Sequence, residues 1–189
     1  DKLTACQFEK NGTEYLSEGR IKNIETAVYP TGIGEFLVGR VSVDFALGNT
    51  GNVPFFHKSR LAGIMTAYNA ANRTASLIPG AVIQHFLTDL EDGTYEGFPR
   101  AGFAFGTIKD PQLRNYVGLA EHEQGIYITS VQPGGPADKA GIAVDDVLLA
   151  INGFNIDKHA EYPDPDYGAL RISHLLATRS FAGDIVEVT

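Results

Sequence analysis

The sequence predicts a mainly β chain with short helices, divided into two consecutive domains. Three observations lead there. Short apolar runs with strand-like alternation recur from Leu3 to Ile78, separated by polar, glycine-bearing turns. The period then changes to a helical one, followed by a Gly/Pro-containing linker. After the linker, residues 125–156 place a strand, a Gly-Pro turn, one turn of helix and an Asn-Gly hairpin in quick succession.

In the first domain, Leu3–Phe8 alternates loosely and Tyr15–Tyr29 carries apolar residues at several alternate positions. Residues 30–34 read as a loop. Phe36–Val38 and Val41–Phe45 form either a strand pair or one long bent strand. Residues 48–52, Gly-Asn-Thr-Gly-Asn, are a polar loop. Phe55–Phe56 starts a new strand that turns at residues 57–60. Leu61–Tyr68 returns, residues 69–72 turn again, and Ala75–Ile78 ends at Pro79. Strands at this spacing predict a small antiparallel barrel or sandwich. Val82, Ile83, Phe86, Leu87 and Leu90 recur at helical spacing, which predicts a helix of about three turns with His85 inside it. Residues 92–99 are the linker, so the domains are expected at 1–96 and 97–189.

In residues 125–156 each event has a local cause. Ile126, Ile128 and Val131 make a short β-rich run. Pro136 opens a helix where its missing N–H is not needed. Gly141 supplies the left-handed residue that closes it. Asp145-Asp146 lead into Val147–Ile151, and Asn152-Gly153 makes a tight hairpin turn.

Composition sets bounds. The chain has 189 residues and a formal net charge of −8, which argues against a nucleic-acid surface. Cys6 is the only cysteine, so no internal disulfide forms. No apolar run approaches the ~18 residues of a membrane span. The first and last residues read as cut ends, so the chain is expected to be a piece of a longer protein.

The order VQPGGPADKAGIAVDDVLLAINGF resembles the PDZ domains of HtrA/DegP-type proteases, with Asp145 where that family usually has glycine. Residues 43–52, 61–66 and 75–79, followed by the helix, resemble the second β-barrel of a trypsin-like HtrA protease. Residues 97–119 and 180–184 are similar to the plant-type Deg subgroup. The resemblance covers most of the chain and implies a partial trypsin-like β-barrel followed by a PDZ-like domain.

It also implies site residues. The family's nucleophilic serine falls on Thr50, with Gly48 and Asn49 in the oxyanion loop and Asn52 at a further glycine position. A threonine β-methyl restricts χ1 and crowds the attack trajectory. The family's catalytic His and Asp lie on a first barrel, which this sequence does not contain. A hydroxyl nucleophile without its base is weak. The chain is therefore expected to be non-catalytic as it stands, a pseudoprotease-like fragment. His57, His122, His159 and His174 are expected to be exposed or core residues, since none has the family's order.

In the PDZ-like half, the resemblance places a peptide's terminal carboxylate on the backbone of Arg100, Ala101, Gly102 and Phe103. The peptide would add as a strand beside Phe103 to Phe105. A helix expected over residues 167–179 forms the other wall, with Leu170, Ser173, Leu176 and Ala177 on one face. Residues 162–167, Tyr-Pro-Asp-Pro-Asp-Tyr, read as a turn rather than a calcium loop, and residues 102–106 lack the context of a nucleotide loop. No metal or cofactor is expected.

The expected partners are peptide C-termini or unfolded segments, and a homo-oligomer is compatible with the reading. The alternative is part of an active serine-type endopeptidase in protein quality control, with its His and Asp on a missing N-terminal barrel. Family resemblance alone favours a periplasmic or secreted location.

Overall fold

A computed structural model describes residues 1–29, 34–48, 51–120 and 122–189. It divides into two compact units, Asp1–Tyr95 and Glu96–Thr189.

The first unit has six strands: β1 (Lys2–Phe8), β2 (Glu14–Val28), β3 (Glu35–Val43), β4 (Pro54–His57), β5 (Arg60–Asn69) and β6 (Thr74–Pro79). They close into an antiparallel barrel in the order β1-β2-β3-β6-β5-β4. Closure comes from Thr4 and Ala5 pairing with Phe56 and Phe55, which leaves no open edge. Between the two alternatives for residues 36–45, the molecule takes one long strand, β3.

Alternate residues of β6 are buried, as strand geometry requires. The barrel centre is filled by Leu3, Ala5, Val41, Val43, Val53, Phe55, Met65, Ala75 and Leu77. A side chain such as Phe55, fully buried, contributes roughly 1.5–3 kcal/mol by leaving water. Gly63 is demanded by close approach, since a Cβ there would lie 2.5 Å from the Ile78 carbonyl oxygen. The expected helix is α1 (Gly80–Asp89), entered through Pro79 and burying Val82 and His85.

The second unit contains β7 (Phe103–Thr107), α2 (Pro111–Tyr116), β8 (Ile126–Val131), α3 (Pro136–Lys139) and β9 (Val147–Leu148). There follow β10 (Ala150–Ile151), β11 (Phe154–Asn155), β12 (Glu161–Asp164), β13 (Gly168–Arg171) and α4 (Ile172–Ala177). The sheets are β7-β8-β9, β10-β11 and β12-β13. Asp110 caps α2 by accepting from the N–H groups of Gln112 and Leu113, at 2.7 and 3.1 Å. Asn152 and Gly153 have φ of 49° and 76°, the signature of a type I′ hairpin turn. The core includes Ile108, Ile126, Ile128, Leu148, Ile151, Ile156, Tyr162 and Ile172.

Asp145 has φ 78°, a conformation that favours the glycine this position usually carries in the family it resembles. Aspartate tolerates the left-handed region better than most side chains. Its carboxylate also accepts a hydrogen bond from the Tyr127 hydroxyl, which compensates part of the strain.

One expectation is corrected. The helix expected over residues 167–179 is only the six residues of α4. Residues 168–171 form β13, paired with residues 161–164 of β12. Gly168 turns the hairpin with φ 82°, and Pro163 is tolerated because the hairpin has only two strands. Leu170 therefore lies on a strand opposite Tyr162, 2% exposed, and not on a helical groove face. Residues 162–164 likewise belong to a strand, and only the residues after Asp164 make the turn.

Candidate functional site

The second unit holds a cleft of about 310 Å³. Pro99, Arg100, Ala101 and Phe103 form one wall. Pro136 and Ala137 contribute from α3, Ala140 from its C-terminal cap and Ile142 from beyond Gly141. Leu176, Ser180 and Phe181 close the far side, and residues 183–186 and Val188 complete it. The lining is mainly apolar, with Arg100 and Asp184 as its ionisable members, the composition of a site that takes an apolar group with a polar end.

The Arg100–Phe103 loop is fixed from behind. The Ala101 carbonyl accepts from the Ala137 N–H at 3.0 Å, and the Gly102 carbonyl accepts from the Gln132 N–H at 2.8 Å. The chain has no cis peptide bonds among its described residues. In a trans peptide the C=O and the next N–H point in opposite directions. The N–H of Gly102 is therefore aimed away from α3, and that of Phe103 away from the end of β8. Both N–H groups are thus turned away from the elements that hold the loop.

Gly102 has φ 78°, and a Cβ there would lie 3.2 Å from Pro136 Cδ. Glycine is thus required twice, by conformation and by contact. Among the described residues β7 pairs only with β8 and is an edge of its sheet, so its other side can accept an added strand.

Of the expected groove residues, Arg100, Ala101, Phe103 and Leu176 line this cleft, and Gly102 joins two of them. Phe105, Ser173 and Ala177 are half-buried on β7 and α4 but outside the lining, and Leu170 is buried in the hairpin. Sequence reasoning missed Pro136, Ala137, Ile142, Ser180 and Phe181. The signal for the first two was the Pro-Ala step that opens α3, whose N–H reaches the carboxylate-loop candidate.

Next to α4 lies an ionic network centred on the buried Asp164. The Asp164 carboxylate accepts from the Tyr162 hydroxyl at 2.6 Å and from the Asp166 and Tyr167 N–H groups at 2.9 and 3.1 Å. Arg179 donates to it through Nε at 3.1 Å and a terminal nitrogen at 2.9 Å. Burial alone pushes this carboxyl up, but the hydrogen bonds from Arg179, Tyr162 and Asp166 outweigh it and hold the pKa at about 2. His174 is 1% exposed and stacks on Tyr162, with its Nε2 3.5 Å from Asp164. Burial depresses its pKa to about 4 despite the upward pull of Asp164, so it is neutral at pH 7.

The barrel loop expected to carry the nucleophile motif is described only in part. Asn49 and Thr50 lie outside the described residues. Gly48 is exposed. The segment leading to it is well held: Gln7 exchanges two hydrogen bonds with the Leu47 backbone, at 3.3 and 3.1 Å. Ser17 accepts from the Ala46 N–H at 3.0 Å. Asn52, at a glycine position of the motif, has φ 49°. His57, His122 and His159 are exposed. No group of His, Cys, Asp and Glu suited to a metal ion occurs among the described residues. Nor is any described helix long and apolar enough to cross a membrane.

Comparison with known proteins agrees with this architecture. A PDZ domain model matches residues 127–162. "Protease Do-like 2, chloroplastic" of Arabidopsis thaliana is 25% identical over 193 residues, covering 100% of this chain and 31% of the relative. "Serine protease DegP homolog" of Plasmodium falciparum is 29% identical over 145 residues, covering 71% of this chain and 17% of the relative. The chain thus spans about a third or less of these relatives. Among solved structures, "HtrA-type protease AlgW with decapeptide" superposes with a TM-score of 0.64 at 18% identity, covering 97% of this chain and 54% of that one. The chain carries a barrel followed by a PDZ domain and is homologous to the Deg/HtrA proteases.

Proposed function

We propose that this polypeptide is the peptide-capturing part of an HtrA/Deg-like protease homologue, and that its PDZ domain binds the C-terminal ends of peptides or unfolded proteins. The observation that carries the reading is the Arg100–Phe103 loop beside an apolar cleft. The Ala101 and Gly102 carbonyls are occupied by Ala137 and Gln132, which leaves the N–H groups of Gly102 and Phe103 each turned away from its own partner. A terminal carboxylate would rest on those donors, and its apolar side chain would enter the space beside Phe103 and Leu176. The rest of the ligand would add to the free edge of β7 as a strand. AlgW, whose fold this chain shares, is described with bound peptides, which supports the reading.

The 189 residues themselves are proposed to be non-catalytic, because the nucleophile position carries threonine. Titration of a fluorescein-labelled peptide with an apolar C-terminus against the chain tests the binding function. Saturable binding that an unlabelled copy competes away is expected, and absence of binding refutes it.

The names of the Arabidopsis and Plasmodium relatives, both proteases, favour a second reading, in which the chain is part of an active endopeptidase. An upstream gene sequence encoding a His and an Asp at the family's spacing would favour that reading for the whole protein.

A further inference from the structure

We propose that the ion pair between buried Asp164 and the partly exposed Arg179 is a strut that sets the position of the cleft's far wall, making both residues positioning residues for peptide binding. The inference rests on the peptide-binding reading of the cleft. Leu176, Ser180 and Phe181 face the cleft, and Arg179 sits among them without lining it. Its side chain turns the opposite way, to Asp164 at 2.9 Å and Asp166 at 2.5 Å. Its main-chain N–H is fixed on the His174 carbonyl at 3.1 Å. The wall is thus tied from behind to the β12–β13 hairpin.

The hairpin end of the tie is rigid. Asp164 is 4% exposed and is also held by Tyr162 and two backbone N–H groups. The hairpin is fastened to α4 a second time, where the Ile172 N–H donates to the Ala160 carbonyl at 3.0 Å. Tyr162 and His174 stack between them with ring centres 6.4 Å apart. The helix itself is six residues long, too short to hold its own position in water. Its buried face, Ile172, His174 and Leu175, anchors it in the core, and of the polar ties the Arg179 fork is the one attached to the cleft-lining segment. An arginine fork binds a carboxylate through two parallel bonds and so fixes direction as well as distance.

The test uses the full 189-residue chain, a fluorescein-labelled decapeptide ending in two leucines with a free carboxylate, and methyl NMR of Leu176. Arg179→Ala is expected to stay folded, to bind the peptide about tenfold more weakly, and to shift the Leu176 methyl signals. Arg179→Lys, which keeps the charge but not the fork, should recover part of the affinity. Asp164→Asn supplies the same readouts from the other end, and decides the matter with Arg179→Lys should the alanine variant not fold. Ile128→Val is the stability control: it lowers the melting temperature without touching the strut and should leave affinity unchanged.

Folded strut variants with wild-type affinity and unmoved Leu176 signals would overturn the proposal. So would a loss of affinity in Ile128→Val that matches theirs at equal loss of stability. If the unaltered chain binds no peptide, the peptide reading has failed. The strut then stands or falls on the Leu176 shifts of the unliganded chain alone.

Discussion

Replacing Gly102 with valine strikes the candidate carboxylate seat without altering any charge. The native backbone there has φ 78°. For a side chain other than glycine this left-handed region costs roughly 1–2 kcal/mol, and a β-branched side chain lies at or above the upper end. The added Cβ would also sit 3.2 Å from Pro136 Cδ, closer than ordinary contact, and Pro136 is fixed at the start of α3. The loop has two ways to respond. It keeps its shape and stores the strain, lowering stability by about 1–3 kcal/mol. Otherwise it relaxes to negative φ, which swings the Ala101 and Gly102 carbonyls off their donors and scatters the two N–H groups. Binding then falls by at least about tenfold, the equivalent of 1.4 kcal/mol. Thermal melting and peptide titration on the same sample separate the two. Gly102→Ala should show the same effects at smaller size. A Gly102→Val chain with unchanged melting temperature and unchanged affinity would refute the reasoning.

Further outcomes are expected. The 189-residue chain should leave casein uncut, and Thr50 should remain unlabelled by a serine-directed phosphonate; labelling at Thr50 would contradict the non-catalytic reading. Leu176→Asp places a charge in the apolar cleft and should weaken an apolar-ended peptide by about tenfold or more in the same titration. Asp145→Ala should lower unit stability by about 1–2 kcal/mol in denaturant melts, because alanine keeps the left-handed strain and loses the Tyr127 partner, whereas Asp145→Gly should be much milder. Acid should destabilise the PDZ unit. His174, faced by Tyr162, Tyr167, Asp164, Asp166 and Arg179, has its pKa lowered from 6.5 to about 4, so the unfolded chain takes up the proton first. Stability is full above about 6.5 and falls as pH drops toward 4, by at most about 3.5 kcal/mol. Asp164, lowered from 3.8 to about 2, adds a second loss below 3.8. Melting curves across this range should flatten in His174→Leu, and an equally steep acid loss in that variant would refute the assignment.

The parts of the fold legible in the sequence are those with local causes. The Asn152-Gly153 turn, the one-turn helix opened by Pro136 and the alternation of β6 follow from residues within a few positions of one another. The hairpin β12–β13 does not. Tyr162 and Leu170 lie on opposite strands, and helical spacing from Leu170 onward continues smoothly into α4, so periodicity could not place the boundary at Ile172. The burial of Asp164 was equally hidden. An Asp among prolines reads as an exposed turn, and the cation that compensates its buried charge, Arg179, comes from 15 residues further on. At the cleft, the carboxylate-loop candidate was legible through Gly102. The contributions of Ile142, Ser180 and Phe181 were not, because they meet it only through tertiary packing.

The most direct measurement compares two peptides of identical sequence with an apolar last residue, one with a free terminal carboxylate and one amidated, titrated against the unaltered chain. Capture of the carboxylate by the Gly102 and Phe103 N–H groups requires the free acid to bind at least about tenfold more tightly. Equal affinities for the two would contradict carboxylate capture, and with it the account of this cleft as a site for C-terminal ends.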